Sequence, residues 1–339
     1  MNKRTIKIYD STLRDGNHAV YQQISAEQII TYARLADQVG IHYVEIGHGN
    51  GLGASSLQVG QSPISTNEML KLARPHLKKS RMSTFMLPGW GTLKELNVAI
   101  EDGVDAVRIG AHCTEGNLTE RYISYLAKKS VEVHGVLVMS HMATPEELAN
   151  QASIIESYGA HAIGFFDSSG HFLPEDVTLR VEAIRSKVKI PVIFHAHNNL
   201  GMAIANSVEA IDAGVEIIDA CIRGFGAGAG NAQSEVLVAV LNRKGYITNI
   251  DLDKILDLAE SAKNELNFNA PSVSTESIVS GVAGVFSGFR PQVIKIAKDF
   301  NISARDIFYE LGRRKAIAGQ EDMIIEIAEI LRNTKKHEL

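Results

Sequence analysis

The chain has 339 residues, with 34 Lys or Arg and 39 Asp or Glu, so its formal net charge is −5. Hydrophobic residues make up 45% and charged residues 22%, which is ordinary for a globular protein. This balance excludes a polybasic nucleic-acid binder, and no apolar run is long enough for a membrane span. The two cysteines, Cys113 and Cys221, favour a reducing compartment, and the absence of a signal peptide predicts a cytoplasmic protein.

Short apolar runs alternate with amphipathic segments along most of the chain. The runs are nearly continuous in apolar character, which is typical of parallel strands that are buried on both faces. Eight such strands are predicted: Ile6–Tyr9, Tyr43–Ile46, Met82–Leu87, Ala106–Ile109, Val133–Met139, Ala162–Phe166, Val192–His195 and Ile217–Ile222.

Helix-start signals lie between these strands. Ser, Thr or Asn followed three residues later by Glu or Gln is a capping-box pattern. Four helix starts are predicted in this way: Ser25 with Gln28, Thr92 with Glu95, Asn117 with Glu120, and Thr144 with Pro145 and Glu147.

Eight strand-then-helix units predict an α/β fold of the (β/α)8 TIM-barrel type. A doubly wound sheet has the same alternation, but eight units and the absence of Gly-x-Gly-x-x-Gly after the first strand favour the barrel. After residue 250 no strand is predicted. We therefore expect a TIM-barrel catalytic domain in residues 1–250 and a helical C-terminal domain in residues 251–339, with four helices: Asp251–Asn267, Gln292–Phe300, Ser303–Leu311 and Gln320–Leu331.

Active sites of such barrels lie at the carboxyl ends of the strands. His195 and His197 end the seventh strand and, two residues apart, point to one face, so both imidazoles can reach one ion. Asp15, after the first strand, can supply the carboxylate of a two-histidine, one-carboxylate set for a divalent metal. Two polar residues on a loop would give the same His-x-His pattern. Arg14 beside Asp15 is, on spacing alone, typical of a solvated turn.

A glycine-rich segment, residues 224–230, follows the eighth strand. Such a loop can cradle a phosphate. It can equally be a tight loop that brings backbone close to a substrate, and we favour this second interpretation.

Several segments together resemble one known family over nearly the whole chain. They are TLRDGNHA, EIGHGNGLGASS, LPGWG, HCTE, VMSHM, FDSSG, HAHNNL, GAGAGNA and ELGRRKAIAGQEDM. The chain resembles the DRE-TIM metallolyases and, among them, the 4-hydroxy-2-oxovalerate aldolases, which carry Arg-Asp-Gly-x-His as here. The late ELGRRKAIAGQEDM segment extends the resemblance into the predicted helical domain.

The resemblance implies retro-aldol cleavage of 4-hydroxy-2-oxo acids to pyruvate and an aldehyde, with Mn²⁺ or another divalent ion such as Mg²⁺ or Co²⁺. It implies a metal bound by Asp15, His195 and His197 in direct reach of the substrate. The other implied roles are enolate stabilisation and substrate binding by Arg14, general base catalysis by His18, and contact of Ser168 with the pyruvate half.

One position departs from the family pattern. Phe286 stands where the family usually has Tyr, beside the hydroxyl and aldehyde end of the substrate. The phenol that would donate a hydrogen bond there is missing. We therefore expect a changed aldehyde preference or looser stereocontrol at C4.

The resemblance also implies a partner, an acylating acetaldehyde dehydrogenase that receives the aldehyde through a channel and contacts the helical C-terminal domain. A homo-oligomer is compatible with this interpretation; a nucleic acid or membrane partner is not expected. Two alternatives stay open on the sequence: a Claisen-type acyl-CoA condensing enzyme or lyase of the same superfamily, and a non-catalytic barrel subunit.

Overall fold

The computed structural model describes residues 4–337, and its eight parallel strands close into a barrel in chain order. The predicted TIM barrel is thus confirmed, with small differences at the strand ends. The strands are β1 Lys7–Leu13, β2 Tyr43–Ile46, β3 Arg81–Met86, β4 Ala106–His112, β5 Glu132–Val138, β6 Ala162–Asp167, β7 Val192–Ala196 and β8 Ile217–Ala220.

Strand β1 closes the barrel by pairing with both β2 and β8. Its register with β2 shifts between Asp10 and Leu13. Bulges of this kind are common at barrel rims beside active sites, where they re-aim the residues that follow. The residues that follow here are Arg14 and Asp15.

Eight helices surround the barrel. They are α1 Ala26–Val39, α2 Thr66–Ala73, α3 Leu93–Glu101, α4 Glu120–Leu126, α5 Pro145–Ser157, α6 Pro174–Lys187, α7 Ala203–Ala213 and α8 Ser234–Lys244.

The capping boxes predicted before α1, α3 and α5 are present. The start predicted at Asn117 is wrong, because residues 116–119 form a 3-10 turn and α4 begins at Glu120. In that turn the Thr119 hydroxyl donates to the Gly116 carbonyl (2.7 Å), so no side chain caps α4.

The barrel interior is filled below its carboxyl-terminal mouth. Tyr9 and Tyr43 stack with ring centroids 4.6 Å apart, within a buried layer that also includes small and aliphatic side chains of four other strands. Packed layers of this kind make a TIM barrel a core rather than a pore. Access is therefore from the carboxyl ends of the strands.

Five helices follow the barrel: α9 Leu252–Asn264, α10 Thr275–Ala283, α11 Arg290–Phe300, α12 Ala304–Arg313 and α13 Asp322–His337. Helix α9, the first one expected in the C-terminal domain, contacts α1 and α8, and its Ile255 and Ala262 belong to the barrel's hydrophobic core. Helices α10–α13 have a separate core around Phe289, Phe308 and Ile327. Helix α10 was not expected from the sequence.

The segment between α10 and α11 lies on the mouth of the barrel. His141 Nε2 is 2.9 Å from the Gly284 carbonyl, and the Ser287 N–H donates to the Ser168 carbonyl (3.0 Å). Asn199 Nδ2 donates to Ser287 Oγ (3.0 Å). These contacts place Phe286 over the carboxyl ends of the strands. Among residues 4–337, no helix is long and apolar enough to cross a membrane.

Candidate active site

A cavity of about 290 Å³ opens at the carboxyl-terminal end of the barrel. Part of its wall comes from the segment after β3, including Leu87 and Trp90, and part from residues 317–319 of the C-terminal domain. The structure brings every site residue singled out from the sequence to this one cavity: Arg14, Asp15, His18, Ser168, His195, His197 and Phe286.

Asp15, His195 and His197 each offer a ligand atom, and these atoms lie within 4.8 Å of one another. All three residues are buried. Within the described part of the chain this is the one group of His, Cys, Asp or Glu side chains arranged to hold a metal ion. The structure therefore brings Asp15, which follows β1, beside the two histidines at the end of β7.

The Asp15 carboxylate is fixed by donors on both oxygens. Oδ1 accepts from Arg14 Nη1 (2.8 Å), and Oδ2 accepts from Asn231 Nδ2 (2.7 Å) and the Ala227 N–H (3.1 Å). Burial alone would raise its pKa, but the neighbouring His197 and Arg14 hold the pKa of Asp15 well below its ordinary value. Asp15 is thus ionised, as a metal ligand must be.

The glycine-rich segment after β8 packs against this carboxylate. A Cβ at Gly226 would overlap Asn231 Nδ2 and lie 2.5 Å from Asp15 Oδ2. Because the Ala227 N–H already donates to Asp15, the loop brings backbone against the site, which is the favoured of its two interpretations.

The two imidazoles are oriented towards each other. His195 Nδ1 lies 2.9 Å from Asp219 Oδ2, so Nδ1–H donates to this carboxylate and Nε2 faces the site. The two Nε2 atoms of His195 and His197 face each other at 3.4 Å. Burial lowers the pKa of His197 to about 3, although Asp15 opposes this shift, so the ring is neutral.

His197 Nδ1 is buried and has no hydrogen-bond partner among residues 4–337. One carboxylate and two imidazoles with facing Nε2 atoms form a donor set for a divalent cation with open positions. The residues present therefore fit a divalent metal.

Two nitrogens of the Arg14 guanidinium are hydrogen-bonded to carboxylates, and the third has no partner among residues 4–337. Nε donates to Glu45 Oε2 (2.7 Å) and Nη1 donates to Asp15 (2.8 Å), while Nη2 is buried without a partner in the described chain. Leaving a buried donor unpaired costs about 1–3 kcal/mol. An oxyanion in the cavity would satisfy it.

His18 and Phe286 form another wall. Their rings meet edge to face with centroids 6.1 Å apart. Burial lowers the pKa of His18 below its ordinary value, and the nearby Asp15 only partly offsets this. His18 is therefore neutral near pH 7 and able to accept a proton.

Ser168, which follows β6, also lines the cavity. Its Oγ accepts the Met139 N–H (3.0 Å), which leaves the hydroxyl proton for a group in the cavity.

Two buried charges beneath the site were missed by sequence reasoning. Arg108 in β4 and Asp219 in β8 form an ion pair (2.6 Å), and Arg108 also pairs with Glu45 at the end of β2. The available signal was a charged residue inside an apolar strand. Parallel strands of a barrel bury both faces, so such a charge must find a partner inside.

A closed parallel barrel with an aspartate and two histidines at its carboxyl ends defines a class, the barrel enzymes whose active site is suited to a divalent metal. Two family models match this chain: one described as HMGL-like over residues 5–261, and one described as a DmpG-like communication domain over residues 271–333.

Similar proteins narrow the class. A protein of Serratia proteamaculans is 56% identical over 95% of this chain and 97% of its own, and one of Streptomyces tendae is 52% identical over 97% and 92%. Both are named 4-hydroxy-2-oxovalerate aldolase. The chain belongs to this aldolase family within the HMGL-like enzymes, which confirms the resemblance drawn from the sequence.

The fold is also that of a solved structure, the carboxyl transferase domain of pyruvate carboxylase from Rhizobium etli. The TM-score is 0.82 at 14% identity, over 98% of this chain and 61% of that one. At this identity the likeness concerns the fold alone.

Proposed function

We propose that this chain catalyses the metal-dependent retro-aldol cleavage of 4-hydroxy-2-oxo acids, such as 4-hydroxy-2-oxovalerate, to pyruvate and an aldehyde. The observation that carries the proposal is the buried, unpartnered Nη2 of Arg14 in the same cavity as the Asp15–His195–His197 set. The names of the close relatives support the same reaction.

Breaking the C3–C4 bond of such a substrate leaves the pyruvate half as an enolate, so negative charge develops on its oxygen. Asp15, His195 and His197 would hold a divalent ion, which would supply Lewis-acid stabilisation of that charge. Arg14 Nη2 donates a hydrogen bond to the same developing charge, and its remaining contacts keep the guanidinium in place.

The 4-hydroxyl must lose its proton as the bond breaks. His18, neutral through burial, accepts it as general base. Ser168, whose hydroxyl proton is free, donates to the pyruvate half. The two side chains thus address the two halves of the substrate.

Phe286 lies beside His18, at the aldehyde half, and its ring has no polar atom to offer the 4-hydroxyl. We propose that this apolar wall broadens the range of aldehydes or loosens stereocontrol at C4.

We propose Mn²⁺ as the native metal, with Mg²⁺ or Co²⁺ as substitutes. A carboxylate and two imidazoles suit these ions better than a thiolate site would, and the buried Cys221 is no part of the set.

We further propose that the C-terminal domain, residues 251–339, binds an acylating acetaldehyde dehydrogenase. The match to a DmpG-like communication domain supports this partner, as does the part of the cavity wall that residues 317–319 supply. Mixing the two proteins at micromolar concentration should give one complex in size-exclusion chromatography; separate elution would contradict the proposal. The cytoplasmic location stays a prediction of the sequence.

The test of the reaction is pyruvate release from 4-hydroxy-2-oxovalerate by Mn²⁺-loaded protein, with His195→Ala as control. We expect the variant to lose metal and activity together. Coenzyme A release from an acyl-CoA substrate, in place of pyruvate release, would favour the Claisen-type alternative. A wild-type protein with neither metal binding nor pyruvate formation would favour a non-catalytic subunit.

A further inference from the structure

Arg108 lies inside the barrel, directly beneath the site. It is fully buried, and its guanidinium lies 4.1 Å from the centroid of the Tyr9 ring and 5.1 Å from that of Phe166. A charge in such a place is costly unless it is paired.

The guanidinium donates hydrogen bonds to three partners. Nε donates to Glu45 Oε1 (2.6 Å), and Nη2 donates to Glu45 Oε2 and Ser11 Oγ (3.1 Å). Nη1 donates to Asp219 Oδ2 (2.6 Å). The rigid planar fork of arginine can meet two carboxylates at once, whereas lysine has a single ammonium centre.

Each of these carboxylates also holds one residue of the site. Glu45 Oε2 accepts from Arg14 Nε (2.7 Å). Asp219 Oδ2 accepts from His195 Nδ1 (2.9 Å). Arg108 therefore sits at the centre of a chain of contacts whose two ends are Arg14 and His195.

Among residues 4–337, Arg108 is the one cation that contacts both Glu45 and Asp219. Without Arg108, the Glu45 and Asp219 carboxylates would lose their common partner in a buried place.

We propose that Arg108 is a positioning residue that sets the free Nη2 of Arg14 through Glu45 and the metal-facing Nε2 of His195 through Asp219. The part that concerns Arg14 rests on the proposed function, because it assumes that Arg14 stabilises an enolate. The part that concerns His195 and metal affinity does not depend on the reaction. The proposal assigns two separable effects. The contacts from Arg108 through Asp219 to His195, here called the Asp219 arm, control metal affinity. The contacts from Arg108 through Glu45 to Arg14, the Glu45 arm, control enolate formation.

Three variants separate the arms: Asp219→Asn, Glu45→Gln and Arg108→Met. The readouts are Mn²⁺ affinity by calorimetric titration and, at saturating Mn²⁺, the exchange of pyruvate methyl protons with deuterated water by NMR. The exchange requires enolate formation but no aldehyde.

Removing a residue that orients a metal ligand typically costs 10–100-fold in metal affinity or activity. We expect about that loss of Mn²⁺ affinity in Asp219→Asn and of exchange rate in Glu45→Gln. In each, the other readout stays within about threefold, which is small beside that range. Arg108→Met should lose both, and Arg108→Lys should recover one readout at most.

Arg180 provides a matched control, because it is also a buried arginine over an aromatic ring, Phe172 (4.3 Å). It donates to the main-chain carbonyls of Ser140 and Ala143 instead of site carboxylates. Arg180→Met should lower the melting temperature as Arg108→Met does, yet keep Mn²⁺ affinity and exchange.

A folded Arg108→Met protein that matches Arg180→Met in both readouts would overturn the proposal. If Arg108→Met does not fold, the two carboxylate variants decide: equal losses of both readouts in each would overturn the separation into arms. A wild-type protein that binds Mn²⁺ but neither exchanges nor releases pyruvate would refute the proposed reaction, while the effect of Asp219→Asn on metal affinity would still test the positioning of His195.

Discussion

Replacing Gly226 with alanine tests whether the glycine-rich loop keeps Asp15 in its ligating position. Gly226 is buried, and the new Cβ would overlap Asn231 Nδ2 and lie 2.5 Å from Asp15 Oδ2. Ordinary contacts of carbon are about 3.5 Å or longer, so the carboxylate must move by about 1 Å. That movement breaks the hydrogen bonds of 2.7 Å from Asn231 and 3.1 Å from the Ala227 N–H.

We expect the displacement of Asp15 to lower Mn²⁺ affinity by about 10–100-fold, or about 1.4–2.8 kcal/mol. Overpacking should also lower the free energy of unfolding by about 1–3 kcal/mol. Calorimetric Mn²⁺ titration measures the first effect, and the melting temperature without metal measures the second.

Gly135 in β5 is the matched control, because a Cβ there would overlap Ile155 of the helix layer and no group of the site. Gly135→Ala should lose stability and keep its Mn²⁺ affinity. If Gly226→Ala binds Mn²⁺ within about threefold of the wild type, less than the smallest loss expected, the reasoning about the loop is refuted.

Three further outcomes are expected. Because burial lowers the pKa of His18, kcat/KM for cleavage should fall with falling pH only below pH about 6.5, as the ring becomes protonated. His18→Asn should lose that limb and about 10²–10⁴-fold in rate. Phe286→Tyr should narrow the range of aldehydes accepted in the aldol direction and sharpen C4 stereochemistry, as measured by chiral analysis of the adducts. Burial raises the pKa of Glu45, but Arg108 and Arg14 together lower it to about 2, so its contribution to stability is present above the unfolded-state pKa of about 4.3 and is lost as pH falls towards 2.

Each of these outcomes has a result that contradicts it. An unchanged acidic limb in His18→Asn would remove this histidine from the proton transfer. Identical aldehyde range and stereochemistry in Phe286→Tyr would show that the ring has no part in selectivity. Equal slopes of stability against pH, from pH 5 to 2, in Glu45→Gln and the wild type would refute the assignment of acid lability to this carboxylate.

Much of the fold and site follows from local sequence patterns. Barrel strands are apolar on both faces, so the eight runs are visible without knowledge of their neighbours. His195 lies in β7 and His197 directly follows the strand, so the i, i+2 rule for strands still predicts that they face one cavity, and barrel closure brings Asp15 beside them. The resemblance named the same residues.

Other features depend on contacts that no local pattern contains. The partners of Arg108 are distant in sequence, Glu45 by 63 residues and Asp219 by 111. Helix α10 is rich in Ser and Val and contains Gly281, all weaker helix formers, and it forms against α12. Asn117 and Glu120 have the spacing of a capping box, but Asn117 lies inside a 3-10 turn and does not cap a helix. In these cases tertiary packing decides the outcome.

The position of Phe286 has a mechanical consequence. This residue lies three positions after the end of α10 and four before the start of α11. Its neighbours Gly284 and Ser287 form hydrogen bonds with His141 and Ser168 of the barrel. The segment that carries Phe286 is therefore attached to the helical domain at both ends and to the barrel in the middle. A shift of α10 or α11 relative to the barrel would move the Phe286 ring, and with it one wall of the cavity.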